Sequence, residues 1–357
     1  MALQSDSFEE QYDRMIAKMM QAIVYTKGDI LVCFSGGKDS ALLLDVYCEI
    51  TSMFGYNTVY VGYADTTNET SNMRRYVKWF IKRCEEKYGV KIELYKVRPK
   101  GNLSFADIIK TEGIPFATKA ITGAVRKTKS SMDKNNIKYS DIVQYAKPEI
   151  RCRDVLREMG LSDSAVLSLT GWSNNRQDFG THFKISKMWL PLLDCEMPIT
   201  EKCCLILKEN PLQRLDNPRI MTGEQANESQ KRESVWLEHG CNYALPNNGY
   251  KSMPLGSLSK QAVLYAIYYR NIPLCEDYGK VVKCEGDCYK CTEAQRTGCA
   301  LCGFGIKYDP ERFIRLQKSE PAKVNWAFKP RNQGGAGYRE LCEYSNEYCK
   351  TKIIIPN

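Results

Sequence analysis

The chain has 357 residues, 43% of them apolar and 26% charged, which predicts a globular protein with a large core. No apolar run approaches the roughly eighteen residues that span a bilayer, and the N-terminal stretch has early acidic residues and no apolar leader, so we expect a soluble, cytoplasmic protein with no membrane partner. The 51 Lys and Arg against 42 Asp and Glu give +9, which is compatible with an anionic partner or with an ordinary solvated surface.

The first predicted element is a helix over residues 8–26, where apolar side chains recur at helical spacing. It defines a predicted N-terminal segment, residues 1–27. Three β-branched or aromatic runs are predicted strands: 29–34, 58–64 and 91–97. Helical patterns separate them, the clearest at 71–88. This alternation predicts an α/β fold, a parallel sheet with helices on both faces.

The second half of the chain continues the pattern less regularly. Further strands are predicted at 165–171 and 218–223. Helices are predicted at 140–160, 224–239 and 259–270. We therefore predict a main domain over residues 28–272 and a smaller cysteine-rich C-terminal region over residues 273–357.

The stretch LVCFSGGKDSALLLDVY, residues 31–47, joins the first predicted strand to the next helix through two glycines. Backbone N–H groups at such a helix start point towards one spot, at the positive end of the helix dipole, and glycine lets an anion approach closely. The residues predicted to bind phosphates are Ser35, Gly36, Gly37, Lys38, Asp39 and Ser40. The alternative is a tight turn that binds no ligand.

Each polar side chain in this stretch has a role in that interpretation. Ser35 and Ser40 can donate hydroxyl hydrogen bonds, and Lys38 supplies a positive charge. Asp39 can cap the helix or bind a magnesium-bridged phosphate. The spacing matches neither the Walker nor the Rossmann glycine pattern.

The sequence SGGKDS resembles the signature of the PP-loop ATP pyrophosphatase superfamily, whose fold is adenine nucleotide alpha hydrolase-like and Rossmann-like. This resemblance implies that ATP binds with Mg²⁺ and that pyrophosphate is released. The second-strand segment ADTTNETS, with Asp65, Thr66 and Glu69, resembles that of phosphoadenylylsulfate (PAPS) reductases. Asp65 is therefore expected at the nucleotide; the alternative is a helix cap followed by a polar first turn.

Four cysteines suggest a metal centre. Cys203 and Cys204 are adjacent at the start of a probable helix, and Cys299 and Cys302 form a later Cys-x-x-Cys. Adjacent side chains diverge, which suits the separate irons of a [4Fe–4S] cluster better than one zinc ion. Structural zinc and unliganded thiols remain the alternatives.

This cysteine pattern on such a chain resembles the iron–sulfur subgroup of the PAPS reductase family, over roughly residues 28–316. The segments 97–121, 222–242 and 251–267 follow the family in matching order. The resemblance implies that Glu228, Ser229 and Arg232 line the nucleotide or anion site and that Lys119 faces substrate. Any of these could instead be an ordinary surface residue.

Two features depart from that family. Cys284, Cys288 and Cys291 precede the expected pair, and any of them could replace a ligand or bind a second ion. The C-terminal tail contains Cys342 and Cys349, but it lacks the short cysteine motif that takes the sulfonyl group in the reductases. The SGGKDS loop matches the ATP-binding signature in full, and the cysteine motif of the reductases is missing. Both features favour ATP over a sulfonucleotide as the substrate.

The resulting hypothesis is an ATP-dependent, adenylating enzyme of sulfur transfer, with Lys38, Asp39 and Arg232 as catalytic residues. A sulfonucleotide reductase is the first alternative. The others are a component of DNA phosphorothioation or tRNA thiolation, and a non-catalytic nucleotide-binding redox subunit. Expected partners are an adenine nucleotide, a nucleic-acid or small sulfur acceptor, and a thioredoxin-like or sulfur-donor protein.

Overall fold

The computed structural model describes residues 6–180, 183–215 and 217–356. The chain forms two compact units. The first comprises Met1–Lys100 and Lys208–Cys299, and the second comprises Gly101–Leu207 and Ala300–Asn357. Residues 1–5 of the predicted N-terminal segment and residue 357 of the predicted C-terminal region lie outside the described residues.

The strands of the described chain are β1 (Leu31–Cys33), β2 (Thr58–Ala64), β3 (Lys91–Val97), β4 (Phe116–Ala117), β5 (Trp172–Ser173), β6 (Asp178–Phe179), β7 (Arg219–Met221), β8 (Asn242–Leu245), β9 (Gly249–Ser252), β10 (Val281–Cys284), β11 (Cys288–Cys291) and β12 (Gly303–Phe304). The α-helices are α1 (Phe8–Thr26), α2 (Lys38–Met53), α3 (Ser71–Tyr88), α4 (Phe105–Thr111), α5 (Lys119–Lys134), α6 (Tyr139–Ile142), α7 (Ile150–Glu158), α8 (Asp163–Thr170), α9 (Asn210–Gln213), α10 (Gln230–His239), α11 (Lys260–Tyr269), α12 (Arg312–Ser319), α13 (Pro321–Phe328) and α14 (Tyr338–Tyr348).

The first unit is built on a six-stranded sheet in the order β3–β2–β1–β7–β9–β8. Every neighbouring pair is parallel except β8 and β9. From the central strand β1 the chain moves outwards to β2 and β3, and it later returns to the other side of β1 as β7. This reversal makes β1 a topological switch point, and ligands of open α/β sheets bind beyond the carboxyl ends of the strands at such a point.

A buried ion network joins the helices of the first unit. Asp45 on α2 is 0% exposed, and its carboxylate accepts hydrogen bonds from Arg83 at 2.8 Å and Arg270 at 2.6 Å. The Tyr88 hydroxyl donates a third at 2.9 Å. Burial disfavours the charged carboxylate, but the positive charges of Arg83 and Arg270 outweigh it and lower the pKa of Asp45. The network therefore fixes α2, which carries the glycine stretch, against α3 and α11.

The second unit is mostly helical. Its strands form only short pairs, β4 with β12 in parallel and β5 with β6 antiparallel. Its core is mainly aliphatic and also contains buried aromatic side chains, among them Phe116, Trp189, Phe313 and Tyr338. The Tyr338 hydroxyl reaches the Leu301 carbonyl at 2.5 Å.

Several predicted elements are confirmed: the helix over 8–26, the helix over 71–88 and the strands over 58–64 and 91–97 coincide with α1, α3, β2 and β3. The predicted strand over 165–171 is wrong, because these residues belong to α8 and its cap. Ser162 caps that helix by accepting a hydrogen bond from the Ala165 amide, and Gly171 ends it in a left-handed conformation. These capping residues decide the structure despite the β-branched, apolar run.

The other long predicted helices are shorter in the structure. The predicted helix over 140–160 is broken into α6, a 3₁₀ turn and α7. The predicted helix over 224–239 begins only at Gln230, because Ser229 caps its first turn. None of the described helices is both long enough and apolar enough to cross a membrane.

Candidate functional site

The glycine stretch forms the turn between β1 and α2. Gly36 has φ +78°, in the left-handed region that favours glycine. A Cβ atom at this position would also overlap the side chains of Met73 and Val77. Gly37 is the N-cap of α2 and has no side chain to cap the helix. The first turn of α2 begins at the end of the sheet, and the N-cap residue has no side chain that could accept hydrogen bonds from the amides of that turn.

Two serines brace this turn. The Ser40 hydroxyl accepts a hydrogen bond from the Ser35 amide at 3.2 Å and donates to the Gly37 carbonyl at 2.9 Å. The two serine hydroxyls are 3.1 Å apart. Because these bonds close the turn on itself, the loop is held in shape without a ligand.

The amides that would face an anion have weak hydroxyl partners. The Gly37 N–H donates to the Ser35 hydroxyl and the Lys38 N–H donates to the Tyr278 hydroxyl, each at 3.3 Å. Both distances exceed the usual N–H···O range. The Tyr278 hydroxyl also accepts a short bond, 2.6 Å, from Thr297. An anionic oxygen would make shorter, stronger bonds with the same amides.

The charged pair of the loop is Lys38 and Asp39. The Lys38 ammonium lies 3.0 Å from the Asp39 carboxylate, and both side chains are largely buried. Gln225 donates a 2.7 Å hydrogen bond to the same carboxylate. Its own amide oxygen is buried with no hydrogen-bond partner in the described part of the chain. Gly223 packs on the first turn of α2, where a Cβ atom would lie 3.2 Å from the Asp39 carbonyl oxygen.

A cavity of about 300 Å³ opens at this loop, within the first unit. This volume is at the lower end of the range for small-molecule sites. Its wall combines loop groups, carboxylates, a lysine, small and apolar residues and two thiols: Ser35, Gly37, Asp39, Ser40, Glu69, Glu224, Lys208, Thr297, Gly62, Ala64, Gly223, Gly298, Phe34, Met73, Leu212, Cys33 and Cys299. Gly36 and Lys38 are not among the residues that line the cavity, but the residues on either side of each of them are.

Cys33 and Glu224 sit at the sheet end of the cavity. Burial, and then the nearby charge of Glu224, raises the pKa of the Cys33 thiol to about 12, so it is neutral at physiological pH. Burial also opposes the charge on Glu224, but Lys251 at 2.8 Å outweighs it and lowers the pKa of that carboxyl. The carboxylate is thus balanced by a cation.

Asp65 lies at the end of β2 but is engaged elsewhere. Its carboxylate is 2.8 Å from the Lys96 ammonium and 2.7 Å from the Arg98 guanidinium, and it accepts the Thr67 amide. Burial would raise its pKa, but these hydrogen bonds outweigh burial and lower it to about 2. Glu69, from the same segment, lines the cavity and accepts hydrogen bonds from the Thr66 amide and hydroxyl.

The residues implied by the family resemblance do not line the cavity, although Arg232 contacts a residue that does. Arg232 pairs with Glu228 and is 3.4 Å from Glu224. Ser229 caps α10. Of the family-like segment 222–242, the residues that line the cavity are Gly223 and Glu224. Lys119 is exposed at the start of α5, in the second unit.

The predicted cysteine quartet is divided between the two units. Cys203, Cys204 and Cys302 belong to the second unit and Cys299 to the first. Burial, and then the nearby Cys302 and Cys203 thiols, raise the pKa of Tyr338, so these two cysteines share its surroundings. Across residues 6–180, 183–215 and 217–356, no three His, Cys, Asp or Glu side chains are grouped to hold a metal ion. The cluster stays a prediction.

Three residues at the loop were not predicted: Gln225, Tyr278 and Thr297. Gln225 lies in a segment that the family resemblance included, three positions before Glu228. Tyr278 lies in the cysteine-rich stretch 240 residues beyond Lys38, and Thr297 lies 19 residues further along the chain. A single sequence has no signal for contacts of that separation.

Comparisons with known proteins identify no family for this chain. No protein-family model matches it, and no curated protein matches it significantly. Among solved structures, it is similar to phosphoadenylyl-sulfate (PAPS) reductase from Candida auris, a phosphate complex, with 14% sequence identity and a TM-score of 0.34. The alignment covers 72% of this chain and 82% of the reductase. A TM-score this low supports no conclusion about activity.

Proposed function

We propose that the first unit binds ATP with its polyphosphate on residues 35–40 and transfers the adenylyl group to an acceptor. The observation that carries this proposal is the cavity at the start of α2, where backbone amides, the Lys38–Asp39 pair and a topological switch point coincide. Hydroxyl groups accept hydrogen bonds from these amides at 3.3 Å, and a phosphate oxygen could replace them with shorter bonds.

In the proposed reaction, an acceptor oxygen attacks the α-phosphorus, the bond from that phosphorus to the bridging oxygen breaks, and pyrophosphate leaves. The amides of Gly37 and Lys38 and the Lys38 ammonium stabilise the negative charge that builds on the leaving group. Asp39 is the loop carboxylate on the cavity wall. Proteins usually bind Mg²⁺ with nucleotides through one or two carboxylates and the phosphate oxygens, so Asp39 fits as a ligand of that ion. Bound Mg²⁺ would neutralise phosphate charge.

The finer assignment is also part of the proposal. We place the chain with the PAPS reductase family and sulfur transfer on the sequence resemblance of SGGKDS and the cysteine pattern. In that assignment Cys203, Cys204, Cys299 and Cys302 would hold a [4Fe–4S] cluster, although no three metal-ligating side chains are grouped together within the described residues. The acceptor is a nucleic acid or a small sulfur-accepting molecule.

The second candidate is reduction of a sulfonucleotide with electrons from a thioredoxin-like protein. The specific observation in its favour is that two thiols, Cys33 and Cys299, line the cavity. A thiol there could take a sulfonyl group from a bound nucleotide. The Cys33 thiol is a poor nucleophile because its raised pKa keeps it protonated, so Cys299 would have to act.

The experiment uses the full chain, purified without oxygen. Pyrophosphate release from magnesium ATP that is roughly 30- to 1,000-fold slower in Lys38→Ala and unchanged in Lys82→Ala supports adenylation. Lys82 is an exposed lysine on α3 and serves as the control. Sulfite release from PAPS that depends on thioredoxin supports the reductase instead. Neither product, with no nucleotide binding, would overturn both candidates.

A further inference from the structure

The hairpin β10–β11 brings two cysteines opposite each other. Its register pairs Cys284 with Cys288 across the three-residue turn Glu285-Gly286-Asp287. Gly286 and Asp287 have φ of +71° and +47°, so the turn closes through left-handed residues. Both cysteines are free thiols; Cys288 is exposed and Cys284 is half-buried.

The alternation of side chains along a strand separates this pair from the third cysteine. Residues directly opposite in an antiparallel pair project to the same face, whereas positions three apart on one strand project to opposite faces. Cys291 is three residues after Cys288, and it is only 2% exposed. The hairpin therefore presents two thiols to solvent and keeps the third in the core, which does not suit a three-cysteine metal site.

The spacing of the pair suits a disulfide. Opposite residues of an antiparallel pair have Cα atoms about 4.5 to 5.5 Å apart, and disulfides span Cα separations of about 4.4 to 6.8 Å. The next residue along the strand, Tyr289, anchors the hairpin. It is buried, and Gln261 on α11 bonds to both its amide (2.7 Å) and its carbonyl (3.2 Å). The two thiols are thus held close before any oxidation.

We propose that Cys284 and Cys288 form a dithiol site that is oxidised reversibly by a small disulfide of the glutathione class. The Cys288 thiolate attacks one sulfur of the disulfide, forms a mixed disulfide and releases one thiolate. The Cys284 thiolate then attacks the Cys288 sulfur and releases the second. Two protein thiols are oxidised to one disulfide, one small disulfide is reduced to two thiols, and the two protons pass to the leaving thiolates. This inference does not depend on the proposed nucleotide chemistry.

The test is peptide mapping without reductant, after the reduced full-length protein is incubated with oxidised glutathione. The expected result is a peptide crosslinked between Cys284 and Cys288, reversed by excess reduced glutathione. Cys284→Ser should stop the reaction at a glutathione adduct on Cys288. Cys291→Ser is the matched control and should still form the crosslink.

Three outcomes would overturn the proposal. The first is a wild-type protein whose Cys288 is alkylated readily but never crosslinks to Cys284. The second is crosslinking of Cys288 to another cysteine. The third is protection of both thiols by added Zn²⁺ that is lost in Cys291→Ser, which would indicate a three-cysteine metal site.

Discussion

Replacing Tyr278 by Phe removes the hydroxyl that accepts the Lys38 amide hydrogen and leaves the aromatic ring in place. In the wild-type protein, a phosphate oxygen must compete with that hydroxyl for the amide at the start of α2. The variant has no such competitor. We therefore expect Tyr278→Phe to bind magnesium pyrophosphate more tightly than the wild type does.

The size of the effect follows from the geometry. A neutral hydrogen bond contributes about 0.5 to 1.5 kcal/mol, and a 3.3 Å bond belongs to the weaker part of that range. The wild-type protein loses this bond, worth about 0.5 to 1 kcal/mol, when phosphate binds, and the variant does not. The difference corresponds to roughly two- to fivefold higher affinity for the variant. The same change should lower the free energy of unfolding by about 1 kcal/mol, because the Thr297 hydroxyl loses its acceptor.

Isothermal titration with magnesium pyrophosphate measures the affinity, and urea unfolding measures the stability. Tyr76→Phe is the control, because Tyr76 is another buried tyrosine of this unit whose hydroxyl donates to the Pro273 carbonyl. It should lose similar stability and keep wild-type affinity. Weaker pyrophosphate binding by Tyr278→Phe would refute the reasoning, because it would mean that the hydroxyl is itself a ligand of the phosphate.

Lys38→Ala should cost about 2 to 4 kcal/mol of transition-state stabilisation, seen as a roughly 30- to 1,000-fold slower release of pyrophosphate from ATP; an unchanged rate would contradict its role. Asp45→Asn should lower the free energy of unfolding in urea by about 3 to 5 kcal/mol, because it removes the buried carboxylate that pairs with Arg83 and leaves Arg270 with Glu49 alone. Glu49→Gln, at a more exposed pair, should cost about 1 kcal/mol or less, and equal losses in the two variants would contradict this. The pKa of Asp65 is lowered to about 2, so its contribution is fully present above its usual pKa near 4 and is lost as the pH falls towards 2. The stability difference between wild type and Asp65→Asn should accordingly shrink over that interval, and a difference independent of pH would rule the ion pair out.

Local pattern was sufficient for the first hundred residues. Strands β2 and β3 and helices α1 and α3 have strong periodicity and clear ends, and they were predicted at the observed bounds. The run at 165–171 misled because its apolar, β-branched composition fits a strand, while the caps Ser162 and Gly171 impose a helix. The residues where the chain leaves the first unit, Pro99 to Asn102, have the composition of an ordinary turn and do not distinguish a change of unit from a loop.

The loop itself could be predicted, because strand, glycines and helix are contiguous in sequence. Its surroundings could not be, since Gln225, Tyr278 and Thr297 reach it only through the sheet order and the fold of a distant segment. For Asp65 the position was predictable from the sequence but its ion pairs were not. It lies at the strand end where the pattern placed it, yet Lys96 and Arg98 on the neighbouring strand and just beyond it take up its carboxylate.

A crystal structure of the protein soaked with magnesium and a non-hydrolysable ATP analogue tests the central claim most directly. We predict phosphate oxygens within hydrogen-bond distance of the Gly37 and Lys38 amides, with the Tyr278 hydroxyl displaced from the Lys38 amide. A nucleotide bound elsewhere, or phosphates that leave the Tyr278 contact intact, would contradict the account.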